Sequence, residues 1–127
     1  DVYKRQAIVT DAMRAAGLPP GRYRIGSVEA IVEEGVAWLP DRSGFAGSIA
    51  KMNQMLKVLV KEVGLRLQDA IKLATINPAR IIGVDRRKGS LIEGKDADLV
   101  VMDAELNVLL TMVEGRVVYR SEELFTQ

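Results

Sequence analysis

Apolar and polar residues alternate in the first third of the chain and then recur at helical spacing. From Arg22 to Leu39 the alternation has period two. Glu34-Gly35 interrupts it, which predicts two strands joined by a tight hairpin turn. Farther along, apolar residues at Met52–Val63 follow the spacing i, i+3, i+4, i+7. This spacing predicts one helix of about three turns, closed by Gly64.

Two shorter helices and three strands are predicted beyond Gly64. An apolar stripe from Leu67 to Ala74 marks the second helix. Asn77-Pro78 marks the start of the third, with Asn as N-cap and Pro at the first helical position, and Gly83 marks its end. The strands are expected at Ala97–Met102, Val108–Val113 and Arg116–Tyr119, the last two joined at Glu114-Gly115.

A short apolar run at Ala7–Val9 is followed at once by Thr10-Asp11. This predicts a buried strand that ends in a polar tip. A carboxylate directly after such a strand lies where α/β barrels and open sheets place catalytic groups, so Asp11 is the first candidate catalytic residue. A helix cap or a turn is the alternative role.

The segment Ala46-Gly47-Ser48 is the second candidate. A run of small residues before a helix leaves backbone N–H groups open to an anion or to hydroxyl groups. The alternative is that Ser48 is the N-cap of the helix that contains Met52.

Composition narrows the chemistry of this 127-residue chain. Histidine and cysteine are both absent, which excludes thiol chemistry, imidazole metal ligands and triads based on Cys or His from these residues. A net charge of +1 and few aromatic residues give no sign of nucleic-acid binding, and no apolar run approaches a membrane span. The lack of cysteine is consistent with a cytoplasmic protein.

Two charged clusters are predicted to be solvated, with a polyanion site as the alternative for the first and metal binding as the alternative for the second. Arg86-Arg87-Lys88 is typical of an exposed face. Asp96 and Asp98 flank Ala97 at the start of a strand and are expected in a turn and on the solvent face.

Several motifs resemble the C-terminal part of the N-acetylglucosamine-6-phosphate deacetylase family. Asn77–Arg80 and Lys88–Val100 are similar to amidohydrolases in general. The specific resemblance lies in Val9-Thr10-Asp11-Ala12-Met13, in Ala16–Tyr23 and in Phe45-Ala46-Gly47-Ser48. It covers roughly residues 7–120, and residues 1–6 match nothing.

The resemblance implies an α/β fold: the C-terminal portion of a metal-dependent (β/α)₈ TIM barrel plus strands of a small β-sandwich domain. Residues 7–21 are then the last barrel strand and active-site loop, and 22–43 a hairpin of the small domain. Residues 44–84 are a helical block that closes the barrel, and 85–127 are sandwich strands and a tail.

The resemblance also implies roles for residues. Asp11 takes a proton from the metal-activated water and delivers one to the leaving amine, while Ala46, Gly47 and Ser48 contact the substrate, a phosphorylated N-acetyl amino sugar. A divalent metal ion (zinc or similar) and a homo-oligomer are implied for the full-length enzyme. The family's metal-binding Glu and His residues precede the eighth strand. We therefore expect this chain to be a fragment that alone is inactive and binds no metal stably.

Two alternatives remain open. One is another amidohydrolase that acts on a cyclic amide or amino-heterocycle, as dihydroorotases and imidazolonepropionases do. The other is a non-catalytic folding or interaction module, which would associate through an exposed strand edge.

Overall fold

A computed structural model describes residues 5–122 of the chain. Residues 1–4 of the predicted segment 1–6, and residues 123–127 of the predicted segment 85–127, lie outside this range. The chain divides into two compact units. One is continuous, from 9 to 55, and the other combines residues 5–8 with residues from 56 onward.

An antiparallel sheet of four strands dominates the unit at 9–55, in the order β1-β2-β3-β4. The strands are β1 (Gly21–Ile25), β2 (Val28–Glu33), β3 (Val36–Trp38) and β4 (Phe45–Gly47). The predicted hairpin at Glu34-Gly35 is confirmed, because both residues have positive φ, 49° and 76°, as a tight primed turn requires. The sequence predicts two strands here, but the sheet has four, because β1 and β4 pair on either side of the β2–β3 hairpin.

The core of this unit lies on one face of the sheet. Ala15, Val32 and Ala37 are buried together. Met13, Tyr23 and Ile49 pack against them. Ala15 lies in the turn that follows Asp11, so this core fixes the segment after the candidate catalytic residue to the sheet.

The first predicted helix is present but is not uniform. It consists of α1 (Met52–Lys57), followed by a π-helical turn at Val58–Glu62, and Gly64 ends it at φ +79° as predicted. The wider turn begins where Val58 and Val60 bring β-branched side chains, which crowd a regular α-helix. Of its apolar stripe only Leu56 is buried, whereas Met52 and Val63 are exposed.

Two further helices follow, α2 (Leu67–Ala74) and α3 (Ile76–Ile81). The prediction that Asn77 caps the third helix was wrong, because Thr75 holds the N-cap position and Asn77 lies inside the helix. Asn77 is buried, and its Nδ2 donates a 2.8 Å hydrogen bond to the Gln6 carbonyl. The Asn77 side chain therefore makes a tertiary contact, whereas the local sequence pattern predicts that it caps the helix.

The second sheet is antiparallel, with β6 between its neighbours. Its strands are β5 (Leu99–Met102), β6 (Val108–Val113) and β7 (Arg116–Arg120). β5 begins two residues later than predicted, and the turn at Glu114-Gly115 is confirmed by positive φ at both residues. Leu56, Ala70 and Leu106 form the core of this unit.

The strand expected at Ala7–Val9 is not formed. A parallel central strand needs hydrogen-bonding neighbours along its length. Here the backbone makes a 2.9 Å bond from Ile8 N to Leu73 O, and Val9 is 79% exposed. None of the helices within residues 5–122 combines the length and apolar character that a bilayer span requires.

Candidate functional site

Asp11 lies in an exposed turn with an unusual backbone conformation. Its φ is +49°, in the left-handed region that Asp tolerates better than most residues. The Ala12 N–H donates to Thr10 Oγ1 at 3.3 Å across this turn. The Asp11 carboxylate is thus presented to solvent on a short, locally bonded turn.

The chain brings this turn next to the second candidate segment. Ala12 and Ser48 form an isolated parallel bridge, in which the Met13 N–H donates to the Ser48 carbonyl at 2.8 Å. Ala46 and Gly47 precede this bridge in β4. The structure therefore places two segments side by side although Ala12 and Ser48 are 36 residues apart in the sequence.

Ser48 does not cap the helix, so the alternative role considered for it was wrong. Its Oγ accepts a 3.1 Å bond from the Ala50 N–H, whereas α1 begins only at Met52. The position before the helix belongs to Lys51, whose N–H donates to Gln54 Oε1 at 2.8 Å. This contact reproduces half of a capping box and leaves Ser48 to the bridge.

An open groove of about 470 Å³ adjoins Gly47 and Ser48. Small and apolar residues form most of its wall, and Lys51 and Gln54 add a cation and an amide. Neither Asp11 nor Ala46 lines it. Sequence reasoning missed Lys51 and Gln54, although their spacing of three residues at a helix start could have indicated one face.

Lys88, which belongs to the first charged cluster, forms ion pairs with both aspartates of the second. Lys88 Nζ lies 2.8 Å from Asp96 Oδ2 and 2.6 Å from Asp98 Oδ2. The hydrogen bond from Lys88, together with that from the Glu114 N–H, holds the pKa of Asp98 below its usual range. The two aspartates are half-buried in this ion-pair cluster and are not the simple solvent-face residues expected from the sequence.

The carboxylates do not fit a metal site. Among residues 5–122, no three or more acidic side chains come together in a group that could hold an ion. Asp11 is a single exposed carboxylate, and one such donor is too few for a zinc site, which takes three or four protein ligands. The divalent metal that the resemblance implies therefore has no binding set within the described part of the chain.

Comparison with known proteins shows the family to which this chain belongs. The sequence model of the Amidohydrolase family matches residues 4–118, and the chain belongs to this family. The match includes residues 4–6, which were expected to lie outside any resemblance. The predicted α/β fold class is confirmed by the solved structures described next.

The chain is similar to several amino-sugar phosphate deacetylases. The N-acetylglucosamine-6-phosphate deacetylase of Rattus norvegicus is 36% identical over 116 residues, which are 91% of this chain and 28% of the rat protein. The N-acetylgalactosamine-6-phosphate deacetylase of Escherichia coli O157:H7 is 36% identical over 113 residues, 89% of this chain and 30% of that protein.

A solved structure gives the same result. The crystal structure of N-acetylglucosamine-6-phosphate deacetylase from Pasteurella multocida superimposes with a TM-score of 0.82 at 32% identity. The superposition covers 90% of this chain and 30% of that one. The chain thus spans less than one third of the length of each of these relatives.

Proposed function

We propose that this chain is the Asp11-bearing part of a deacetylase that hydrolyses N-acetylglucosamine 6-phosphate to glucosamine 6-phosphate and acetate. The observation that carries the proposal is the pairing of Ala12 with Ser48. It joins the turn that presents Asp11 to the segment that the resemblance assigns to substrate contact. The names of the relatives support the substrate class.

Asp11 is the proton carrier in this proposal. Hydrolysis of the acetamide forms a bond between the water oxygen and the carbonyl carbon, and then breaks the carbon–nitrogen bond. The Asp11 carboxylate accepts the proton that the water loses and returns it to the leaving nitrogen, so charge and atoms balance. An exposed carboxylate on a short turn can exchange its proton with substrate in this way.

Ala46, Gly47 and Ser48 are proposed to position the sugar. Gly47 and Ser48 both line the groove, so a ligand bound in it would meet this part of the backbone. The groove beside Gly47 and Ser48 has a volume of about 470 Å³, within the range of small-molecule sites. Its wall is mostly small and apolar, as such sites usually are.

The remaining features of the proposal concern the whole enzyme. Residues 7–21 carry the active-site loop, and residues 44–84 belong to the barrel portion. The resemblance is the support for a divalent metal ion, for a homo-oligomer and for a cytoplasmic location. Sedimentation of the complete enzyme tests the oligomer, and metal analysis of the same sample tests the ion.

A chimera tests the activity. Residues 7–120 replace the matching part of the rat deacetylase, and acetate release from N-acetylglucosamine 6-phosphate is measured. We expect turnover, and we expect Asp11→Asn to reduce it at least about a hundredfold, because a positioned proton carrier typically contributes that much. Asp41→Asn is the matched control, since Asp41 is an exposed carboxylate of the same unit, and it should retain full activity.

Two outcomes would overturn the proposal. One is a chimera that melts cooperatively but releases no acetate. The other applies if the chimera does not fold and the coding sequence upstream of this chain is examined instead. A reading frame that encodes a histidine-containing barrel would support the proposal, and an upstream sequence without such a barrel would refute it.

N-acetylgalactosamine 6-phosphate is a second candidate substrate. The E. coli enzyme named for that sugar is as identical to this chain as the rat enzyme is, 36% in both cases. Assays of the chimera with each sugar, and with a cyclic amide such as dihydroorotate, separate the three substrate classes. A preference for the cyclic amide would favour the other amidohydrolase activity.

A further inference from the structure

Two hydrogen bonds flank Asp11, one within its turn and one to Ser48, the residue that follows β4. On the near side, Thr10 Oγ1 accepts the Ala12 N–H at 3.3 Å. On the far side, the Met13 N–H donates to the Ser48 carbonyl at 2.8 Å. Together they fix the backbone on which the Asp11 side chain stands.

The conformation between these bonds is one that a free chain rarely adopts. With φ at +49°, the Asp11 Cβ approaches the neighbouring backbone more closely than it does in extended or right-handed conformations. Such a conformation persists when surrounding contacts hold it. The Thr10 hydroxyl is the side-chain group that the structure provides for this purpose.

Further contacts hold the far side independently of Thr10. The Met13 side chain packs against the buried cluster of Ala15, Val32 and Ala37. Ser48 is itself held by the bond from the Ala50 N–H to its Oγ. The Met13–Ser48 connection is therefore well supported, and the turn at Thr10 is the part that a single hydroxyl controls.

We propose that Thr10 is a positioning residue for the deacetylase reaction: its hydroxyl holds the Asp11 turn in register with Gly47 and Ser48. This proposal rests on the proposed function. The reactive carboxylate belongs to Asp11, and Thr10 acts through it. Loss of the hydroxyl releases the Ala12 N–H and lets the turn relax toward right-handed or extended backbone.

Two substitutions separate the hydroxyl from the rest of the side chain. Thr10→Val keeps the branched shape and removes the acceptor. Thr10→Ser keeps the acceptor and removes the methyl group. A role in packing alone predicts that Val is the milder change, whereas positioning by hydrogen bond predicts that Ser is.

The geometric test uses the 127-residue chain and needs no activity. Nuclear magnetic resonance gives the backbone shifts and the three-bond coupling of Asp11, together with amide exchange at Ala12. We expect a left-handed signature and a slowed Ala12 amide in the parent chain and in Thr10→Ser, and loss of both in Thr10→Val. A freely exchanging Ala12 amide in the parent chain would overturn the proposal without any variant.

The kinetic test uses the active chimera. Thr10→Val should lower kcat about tenfold and change KM less than about twofold, because misplacing a catalytic group weakens the chemical step more than binding. Thr10→Ser should restore most of kcat. Equal kcat in all three proteins would refute the positioning role and leave the proposed function intact. An inactive parent chimera with normal Asp11 geometry would refute the function instead.

Discussion

A Cβ placed on Gly89 would lie 2.8 Å from the Cβ of Ala79. The same atom would approach Ile76 Cα at 3.0 Å and the Thr75 carbonyl at 3.2 Å. The loop at Gly89 therefore passes directly over the start of α3, at a distance that only a residue without a side chain allows. Gly89 also has a φ of +87°.

Gly89→Ala should destabilise the chain strongly. We expect a loss of about 2 to 4 kcal/mol in the free energy of unfolding, the sum of a positive-φ penalty and overpacking against α3. Gly94→Ala is the matched control: φ is +85° and no atom lies within 4 Å of its added Cβ. It should cost only about 1 kcal/mol. Urea unfolding measures both, and equal losses would show that the close approach carries no energy.

Leu56→Ala should open a cavity in the core of its unit. Leu56 is buried with Ala70 and Leu106, so truncation should cost about 2 to 5 kcal/mol. Val58→Ala, two residues along and exposed, should cost about 0.5 kcal/mol. Chemical denaturation of both variants checks this, and a Leu56→Ala loss no larger than that of Val58→Ala would contradict the assigned core.

The ion pair between Lys88 and Asp98 should make stability depend on pH at both extremes. The hydrogen bond from Lys88 lowers the pKa of Asp98 from 3.8, and the hydrogen bonds to Asp96 and then to Asp98 raise the pKa of Lys88 from 10.5. The contribution of Asp98 is therefore present above pH 3.8 and is lost as the pH falls through its lower folded-state pKa. The contribution of Lys88 is present below pH 10.5 and is lost as the pH rises through its higher folded-state pKa.

The Asp98→Asn variant measures this contribution. Its Tm should lie below that of the parent chain by a constant amount between about pH 5 and 9. The difference should shrink below pH 3.8. Glu93→Gln, a change at an exposed residue, is the control and should show no such difference. A gap between parent and Asp98→Asn that persists at pH 2 would show that the pair contributes by packing rather than by charge.

Asn77→Ala should loosen the tie between α3 and the start of the described chain. The variant removes a 2.8 Å bond from a buried amide to the Gln6 carbonyl, and we expect a loss of about 1 to 3 kcal/mol. Gln68→Ala, an exposed change on α2, should be nearly neutral. Hydrogen exchange at Ile8 should accelerate in Asn77→Ala only; unchanged exchange there would show that Gln6 is held by other contacts.

The local sequence pattern predicts the structural elements that depend mainly on interactions between residues close in sequence. Glu34-Gly35 and Glu114-Gly115 were identified because a tight turn needs positive φ at both positions, and α2 because its apolar stripe follows helical spacing. Asp11 and Ser48 were identified as separate candidates. Their proximity could not be predicted from spacing, because the bridge between Ala12 and Ser48 depends on the intervening sheet.

The errors have the same origin. Asn77 has the local pattern of a helix cap, yet its amide binds a carbonyl 71 residues away. Ala7–Val9 has the composition of a buried strand, but a strand exists only where neighbours pair with it. Asn77 has a partner distant in sequence, and Ala7–Val9 has no neighbouring strand to pair with. In both cases this outweighs the local structural preference of the segment.

The bonds from Asn77 to Gln6 and from Ile8 to Leu73 also set an order of assembly on the ribosome. Residues 9–55 are contiguous and can acquire their sheet as soon as they have emerged. The other unit joins residues 5–8 to partners that are synthesised more than sixty positions later. Residues 5–8 therefore have no partners while residues 9–55 emerge, and this unit forms after the one at 9–55.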